Sequence, residues 1–392
     1  MKKLVRHFSM IIMIISILVA GLIFLSCTLD QKAVQQESPG KVSSLAQSSV
    51  QVKEDWEDIW GKTLQEAKRE GILNINIWGG PNIRETVSKA FKEKYNLDIA
   101  WSAGGGLELA EKVLRERKAG IYLADMCISG PGTFVTVLKP AGILEPLEPE
   151  FILPEVKDSK LWAGGKLPFY DKDGIIAYLT LTPMVNIFVN KNFTTKEQIQ
   201  SYRDLLDPKW KGKITWGDPT QPGPGSQWFI MIGGKIMGYD FMKEMAKQEP
   251  VFSRDRRTVV EWVARGKYAI GIGSDKATIL QFIEAGAPLE QLIPREGTYL
   301  GTGGSNTVIF KNAPHPNARK IFINWLLSKE GQTVWSQAVG DQSAREDVPT
   351  NHIPADGVRQ PGINYPMTSE EADLTRDSGY ALAKEIFGTL LK

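Results

Sequence analysis

From Glu54 onward the apolar positions change period three times in the same way. EDWEDIWGKTLQEAKREG has apolar residues at helical spacing and ends on Gly71, which suits a C-cap. ILNINIWGG then reads as a strand stopping at glycines, and NIRETVSKAFKEKYN resumes the helical period. LDIAWSAGGG and LELAEKVLRERKAG repeat the pair, and ADMCISGPGTF is a third strand ending in small residues. Strand, glycine loop and helix recurring at similar spacing predict an open α/β sheet. In such sheets ligands sit beyond the carboxyl ends of the strands. Those ends are Trp78-Gly79-Gly80, Ser102 to Gly106 and Ser129 to Gly132.

After the Pro-punctuated GILEPLEPEFILPEV comes GIIAYLTLTPMVNIFVNKN, a long β-rich run interrupted by Pro183. Interior proline is poorly tolerated in a central strand, so this run is expected to leave one lobe and enter another. A second α/β unit follows: KGKITWGDPT as strand and loop, SQWFIMIGGKIMG and TVVEWVARGK as helices, and YAIGIGSDKA as a strand running into a helix. GTGGSNTVIFKN offers another strand, NARKIFINWLLSKEGQTVWSQ one strongly amphipathic helix, and EEADLTRDSGYALAKEIFGTLL a further helix.

The first residues change the picture of where the chain works. MKKLVRH precedes the apolar run FSMIIMIISILVAGLIFLS and then Cys27, the arrangement of an export signal. Phe24-Leu25-Ser26-Cys27 resembles the bacterial lipobox, which implies a lipidated Cys27, anchoring to the outer face of a cell membrane, and a removed segment 1–26. Residues 27–54 are rich in Ser, Gln and charge without an apolar period and read as a flexible tether. The other cysteine, Cys127, then has no disulfide partner, so the domain must hold together by its core; an apolar strand setting makes it a buried packing residue. The formal charge is +2, and loss of Lys2, Lys3 and Arg6 leaves about −1, which gives no support to nucleic-acid binding.

The order of these pieces resembles the extracellular solute-binding proteins of bacterial ABC importers, in the branch grouped with ferric-iron and related transporters. The residues that carry the resemblance are NAPHPNARKIFINWLLSKEGQ (312–332), KGKITWGDPT (211–220) and VEWVARGKYAIGIG (260–273). It implies the two-lobed α/β fold of type II periplasmic binding proteins, with hinge strands between lobes. Lobe 1 is expected over 55–182 and 301–345, lobe 2 over 183–300, and an extension packing on the lobes over 346–392. It implies a monomer that hands a small solute to an ABC permease and its ATPase.

Catalytic, metal and cofactor chemistry find little in the chain. His7 lies in the export signal, and His315 and His352 lie in loop-like stretches; a secreted α/β hydrolase or transferase would need one of the latter pair in the cleft. Ser226 lacks the G-x-S-x-G setting of a nucleophile, and GDPTQPGPGSQW has no lysine for a phosphate-transfer loop. The iron-binding members of the resembled branch use paired tyrosines after the strand that here reads IGIG. Ser274-Asp275-Lys276 stands at that place and Trp78-Gly79-Gly80-Pro81 at the first loop, so no metal and no cofactor are expected.

A small organic anion suits the remaining residues best. Ser102, Gly104, Gly105, Ser129, Gly130, Gly225 and Ser226 precede helices, where free N–H groups favour an anion. Gln227 follows on the same lip, Arg257 belongs to the cationic Ser253-Arg254-Asp255-Arg256-Arg257, and Gly79 and Ser274 lie at strand ends. Trp78 and Trp216 could stack on a flat or sugar-like ligand. Asp218 and Asp275 pull the other way, toward a cationic ligand such as a polyamine or a thiamine-like base.

Overall fold

The computed structural model describes residues 55–363 and 365–391. In chain order its strands are β1 (Ile72–Ile77), β2 (Asp98–Ala103), β3 (Met126–Ser129), β4 (Leu144–Glu145), β5 (Ala177–Tyr178), β6 (Thr182–Pro183), β7 (Ile187–Asn190), β8 (Ile214–Gly217), β9 (Val251–Ser253), β10 (Ile270–Ile272), β11 (Leu289–Leu292), β12 (Leu300–Gly301) and β13 (Asn306–Phe310). They form an α/β protein with two mixed sheets.

The first sheet has the order β2-β1-β3-β13-β4, with β5 also on β13. β1, β2 and β3 run parallel, each followed by a helix: Pro81–Tyr95, Gly106–Lys118, and a helix that starts at Pro131–Thr133 and widens to a π-helix over Phe134–Leu138. β13 arrives antiparallel from far along the chain, pairing Val308 with Cys127. The second sheet has the order β11-β7-β10-β8-β9. On β7, Ile187 and Val189 face one apolar cluster and Phe188 the other, as strand alternation requires.

The long apolar run interrupted by Pro183 divides into β5, β6 and β7. β5 belongs to the first sheet and β7 to the second. Between them β6 pairs antiparallel with β12, Leu300 opposite Pro183 and Gly301 opposite Thr182. This two-stranded ribbon tolerates the proline because it has free edges.

Two helical expectations change. Asn317 to Gln337 is not one helix: it breaks into Pro316–Leu327 and Lys329–Val339 at Ser328, whose ψ of 165° leaves the helical region and whose hydroxyl accepts the Gly331 N–H at 3.2 Å. A Cβ on Gly331 would lie 1.9 Å from the Trp325 carbonyl oxygen, so glycine permits the tight corner. The segment from Glu370 likewise forms two helices, Glu370–Leu374 and Arg376–Phe387. Ala383 and Phe387 of the latter complete the core of the second sheet. Cys127 is buried within β3, as its apolar setting predicts.

Candidate functional site

A cleft of about 870 Å³ opens beyond the carboxyl ends of β1, β3 and β8. The first sheet contributes Trp78, the Gly106 helix start and Ser129 to Thr133; the second contributes Pro222 to Pro224, Ser226, Gln227 and Arg256. The ribbon adds Met184 and Gly301 to Gly304, and the segment after residue 367 adds Thr368, Asp373, Arg376, Asp377 and Tyr380.

On the first lobe the site is built by close approach. Gly106 has room for no side chain, because a Cβ there would lie 2.7 Å from the Ser129 hydroxyl and 3.2 Å from that of Thr133. Ser129 and Thr133 therefore gather at the mouth of the Gly130-Pro131-Gly132 helix start, where Pro131 is suited to the first helical position. Buried Asn306 secures the floor by donating to the Ser129 and Gly303 carbonyls, each at 3.3 Å. Trp78 lies over Gly304, where a Cβ would come within 2.1 Å of the indole, and the residue is 43% exposed.

The second-lobe lip depends on three glycines. A Cβ on Gly225 would fall 2.1 Å from the Gly217 carbonyl oxygen, and one on Gly273 would fall 2.5 Å from the Gly225 Cα. The start of the Pro224–Trp228 helix can thus press onto the ends of β8 and β10. Ser226 donates its hydroxyl to the Gly223 carbonyl at 3.0 Å, and Gln227 lines the cleft beside it.

Of the residues singled out from sequence, Trp78, Ser129, Gly130, Ser226 and Gln227 line this cleft. The others are held elsewhere. Trp216 is fully buried, donates from its indole to the Gly225 carbonyl at 3.2 Å and meets Trp228 edge-on at 4.8 Å, so it is a core residue and not a stacking platform. Gly225 serves backbone packing. Asp218 accepts the Thr220 N–H and hydroxyl at 2.9 and 2.7 Å, closing its own turn. Asp275 does the same for Thr278, and buried Ser274 donates to the Arg256 carbonyl. Asp218 also faces Arg254 at 3.4 Å and Asp275 faces Arg256 at 3.6 Å, so each carboxylate already has a cationic partner.

Gly79 packs against Ile83, and Ser102 accepts from Lys112 at 3.3 Å outside the cleft. Gly104 and Gly105 abut Glu108, whose carboxylate takes the Gly105 N–H at 3.3 Å and so supplies that helix start with its own anion. Arg257 lies over the Phe282 ring in a separate recess; it is its neighbour Arg256 that reaches the cleft. Cys27 lies outside the described residues.

Arg256 belongs to the cationic run that the sequence singles out, although Arg257 is the member picked from it; the residues from 368 to 380 escaped sequence reasoning. A segment assigned only to pack on the lobes gives no periodic signal that one of its helices turns charged residues into a cleft. Asp373 is buried, accepts the Tyr170 hydroxyl at 3.0 Å and is paired with Arg376. Burial pushes its carboxyl above the usual range against the pull of Arg376 and Tyr170.

The two described histidines lie away from the cleft. His315 pairs with Asp125 at 2.9 Å, and His352 meets the Ser336 hydroxyl at 3.0 Å; neither histidine lines the cleft, and Ser336 is fully buried. Asp171, Asp173 and Glu370 form an acidic cluster, but the Lys139 ammonium sits among them, 2.7 Å from Asp171 and 2.8 Å from Asp173, and supplies the counter-charge that a metal would.

Comparison with known proteins agrees. Residues 86–361 match the family described as bacterial extracellular solute-binding protein. A putative 2-aminoethylphosphonate-binding periplasmic protein of Salmonella paratyphi A is 23% identical over 305 residues, covering 73% of this chain and 84% of the relative. The periplasmic binding protein AfuA from Actinobacillus pleuropneumoniae, solved with fructose-6-phosphate, superposes with a TM-score of 0.53 at 22% identity, over 81% of this chain and 97% of its own. The Trichodesmium protein FutA, solved with iron and citrate, does so with a TM-score of 0.60 at 19% identity, over 82% and 99%. At these identities the structures carry the fold, and their ligands differ. With a match spanning most of its length, a two-lobed fold and a cleft equipped to hold a solute, the chain belongs to the bacterial extracellular solute-binding proteins and is not an enzyme.

Proposed function

We propose that this chain captures a small organic anion, a carboxylate or a phosphorylated compound, between its lobes and delivers it to an ABC permease and its ATPase. The observation that carries the reading is convergence: a helix start from each lobe, at Gly130-Pro131 and Gly223-Pro224, meets the same cleft as Arg256 and Arg376. Each helix end contributes little alone, about 1 kcal/mol or less when exposed, so an anion is favoured only where several such groups converge. A ligand touching both lobes would draw them together about the β6–β12 ribbon, and the permease would read the closed state.

Asp377 in the same wall favours a member of this class that also carries an amine. Ferric iron is the poorer fit. Among the described residues lining the cleft Tyr380 is the single phenol, and Asp373 is already engaged by Arg376 and Tyr170. Anchoring through a lipidated Cys27 belongs to the same reading, and a Cys27→Ser chain released from the membrane fraction would support it.

The test is a thermal-shift and native mass-spectrometry panel on the mature domain with phosphate esters, phosphonates, di- and tricarboxylates, polyamines and ferric iron. Stabilisation by one anionic class is expected. Stabilisation by ferric iron alone would overturn the proposal.

A further inference from the structure

The segment Glu370 to Phe387 is fixed to both lobes. On the first lobe Glu370 pairs with Lys139 and Asp373 takes the Tyr170 hydroxyl at 3.0 Å. On the second, Phe387 meets Trp216 and Phe252 with ring centroids at 5.2 and 5.3 Å, and Gly379 lets Ile230 approach to where a Cβ would lie 2.7 Å away. Arg376 stands between these anchor points, and the cleft lies beside it.

The placement of its guanidinium is specific. One amino group, Nη2, pairs with Asp373, while Nη1 lies over Gly132, where an added Cβ would fall 2.8 Å from it. Gly132 is in the first turn of its helix, and a cation at a helix N-terminus meets a field of its own sign. Asp373, with a side chain only 1% exposed, offsets one positive charge, and Arg376 itself lines the cleft. A guanidinium offers five donors in a fixed fork, so a single carboxylate does not exhaust it.

We infer that the segment Glu370 to Phe387 forms a third wall of the ligand site and that Arg376 is its anion-binding residue, with Asp373 as a positioning residue. An anion seated between Arg376, the Thr133 and Ser129 hydroxyls and the Gly132 and Thr133 N–H groups of that helix start would convert a like-sign contact into an attractive one. The inference rests on the anion reading and adds to it a residue outside both sheets' strand-end loops.

Titration calorimetry of the full mature chain tests it, with fructose 6-phosphate, 2-aminoethylphosphonate, inorganic phosphate and citrate as probes. Arg376→Gln is expected to weaken the best-bound probe at least tenfold, and Arg376→Lys to restore part of the loss. Asp373→Asn, leaving the guanidinium unguided, should weaken it less than Arg376→Gln does. Phenylglyoxal modification of Arg376 in the unaltered chain should slow at least fivefold when that probe is saturating, a readout independent of any variant's folding and unmoved by a merely structural arginine. Unaltered affinity in Arg376→Gln, or an unchanged modification rate, would overturn this inference while leaving the anion reading standing. Failure of the unaltered chain to bind any of the four probes would overturn both.

Discussion

The ring of Phe387 meets the ring of Trp216 edge-on, with centroids 5.2 Å apart and planes inclined by 73°. Phe387 also packs against Phe229 and Phe252, so one residue of the last described helix closes an aromatic cluster built on the second sheet. Removing a fully buried phenylalanine costs about 3 to 5 kcal/mol. Phe387→Ala should therefore lower stability by that amount in urea unfolding followed by tryptophan emission; a loss below about 1 kcal/mol, the usual scale of an exposed substitution, would mean that the ring does not seal the core.

Gly304 and Trp78 give a prediction of the opposite kind. Because the indole occupies the space a Cβ would need, Gly304→Ala must push Trp78 off the floor of the cleft. Ligand-induced change in tryptophan emission should be lost or inverted. Trp78→Ala, removing a half-exposed ring, should cost about 1 kcal/mol or less in stability while weakening binding of any ligand with a flat or sugar-like body.

Arg345 is 1% exposed and holds Asp347 through two nitrogens, at 2.9 and 3.0 Å. It also donates to the Leu327 and Glu155 carbonyls and lies over the Trp162 ring. Arg345→Met keeps the volume and strands these acceptors. Breaking a buried pair typically costs 3 to 5 kcal/mol, and the partial exposure of Asp347 and Glu155 puts the expected loss near the low end, about 3 kcal/mol by denaturant midpoint.

Burial pushes the Cys127 thiol up to about 12. Between an unfolded value of roughly 8.5 and that folded value, the folded chain keeps a proton that the unfolded chain has lost. The stability from this group is complete below the unfolded value and is lost as pH rises toward the folded one, by up to about 1.4 kcal/mol per pH unit. Buried Tyr170 and Tyr202 are raised by the same desolvation and add loss of the same sign at higher pH. Unfolding free energy should fall steadily above pH 9, less steeply in Cys127→Ala. At pH 8 the native thiol should resist alkylation that the unfolded chain undergoes readily.

The strand and helix order was legible because β1, β2 and β3 each end where glycines interrupt an apolar run, a local signal. Trp216 shows the limit. A tryptophan at a strand end looks the same whether it faces a cleft or a core, and Phe387 and Trp228, which claim its two edges, lie far away or beyond a loop. Asp218 and Asp275 misled for a related reason: as turn and helix caps they satisfy backbone within three residues, a role that sequence alone does not separate from ligand contact. Arg256 against Arg257 was a matter of helical phase, one residue turning the guanidinium from the cleft to the Phe282 ring. Arg376 was invisible because its site is assembled from segments with no local connection.

The anchoring of Phe387 also sets an order in time. A nascent or translocating chain extended no further than Ile283 already contains β7, β8, β9 and β10, yet the aromatic cluster around Trp216 stays open until residues 383–387 arrive. The second lobe is therefore a late product of synthesis: loop closure over so long a stretch makes its final packing slow. A chain cut short before Ala383 would present sticky aromatic surface to chaperones and proteases.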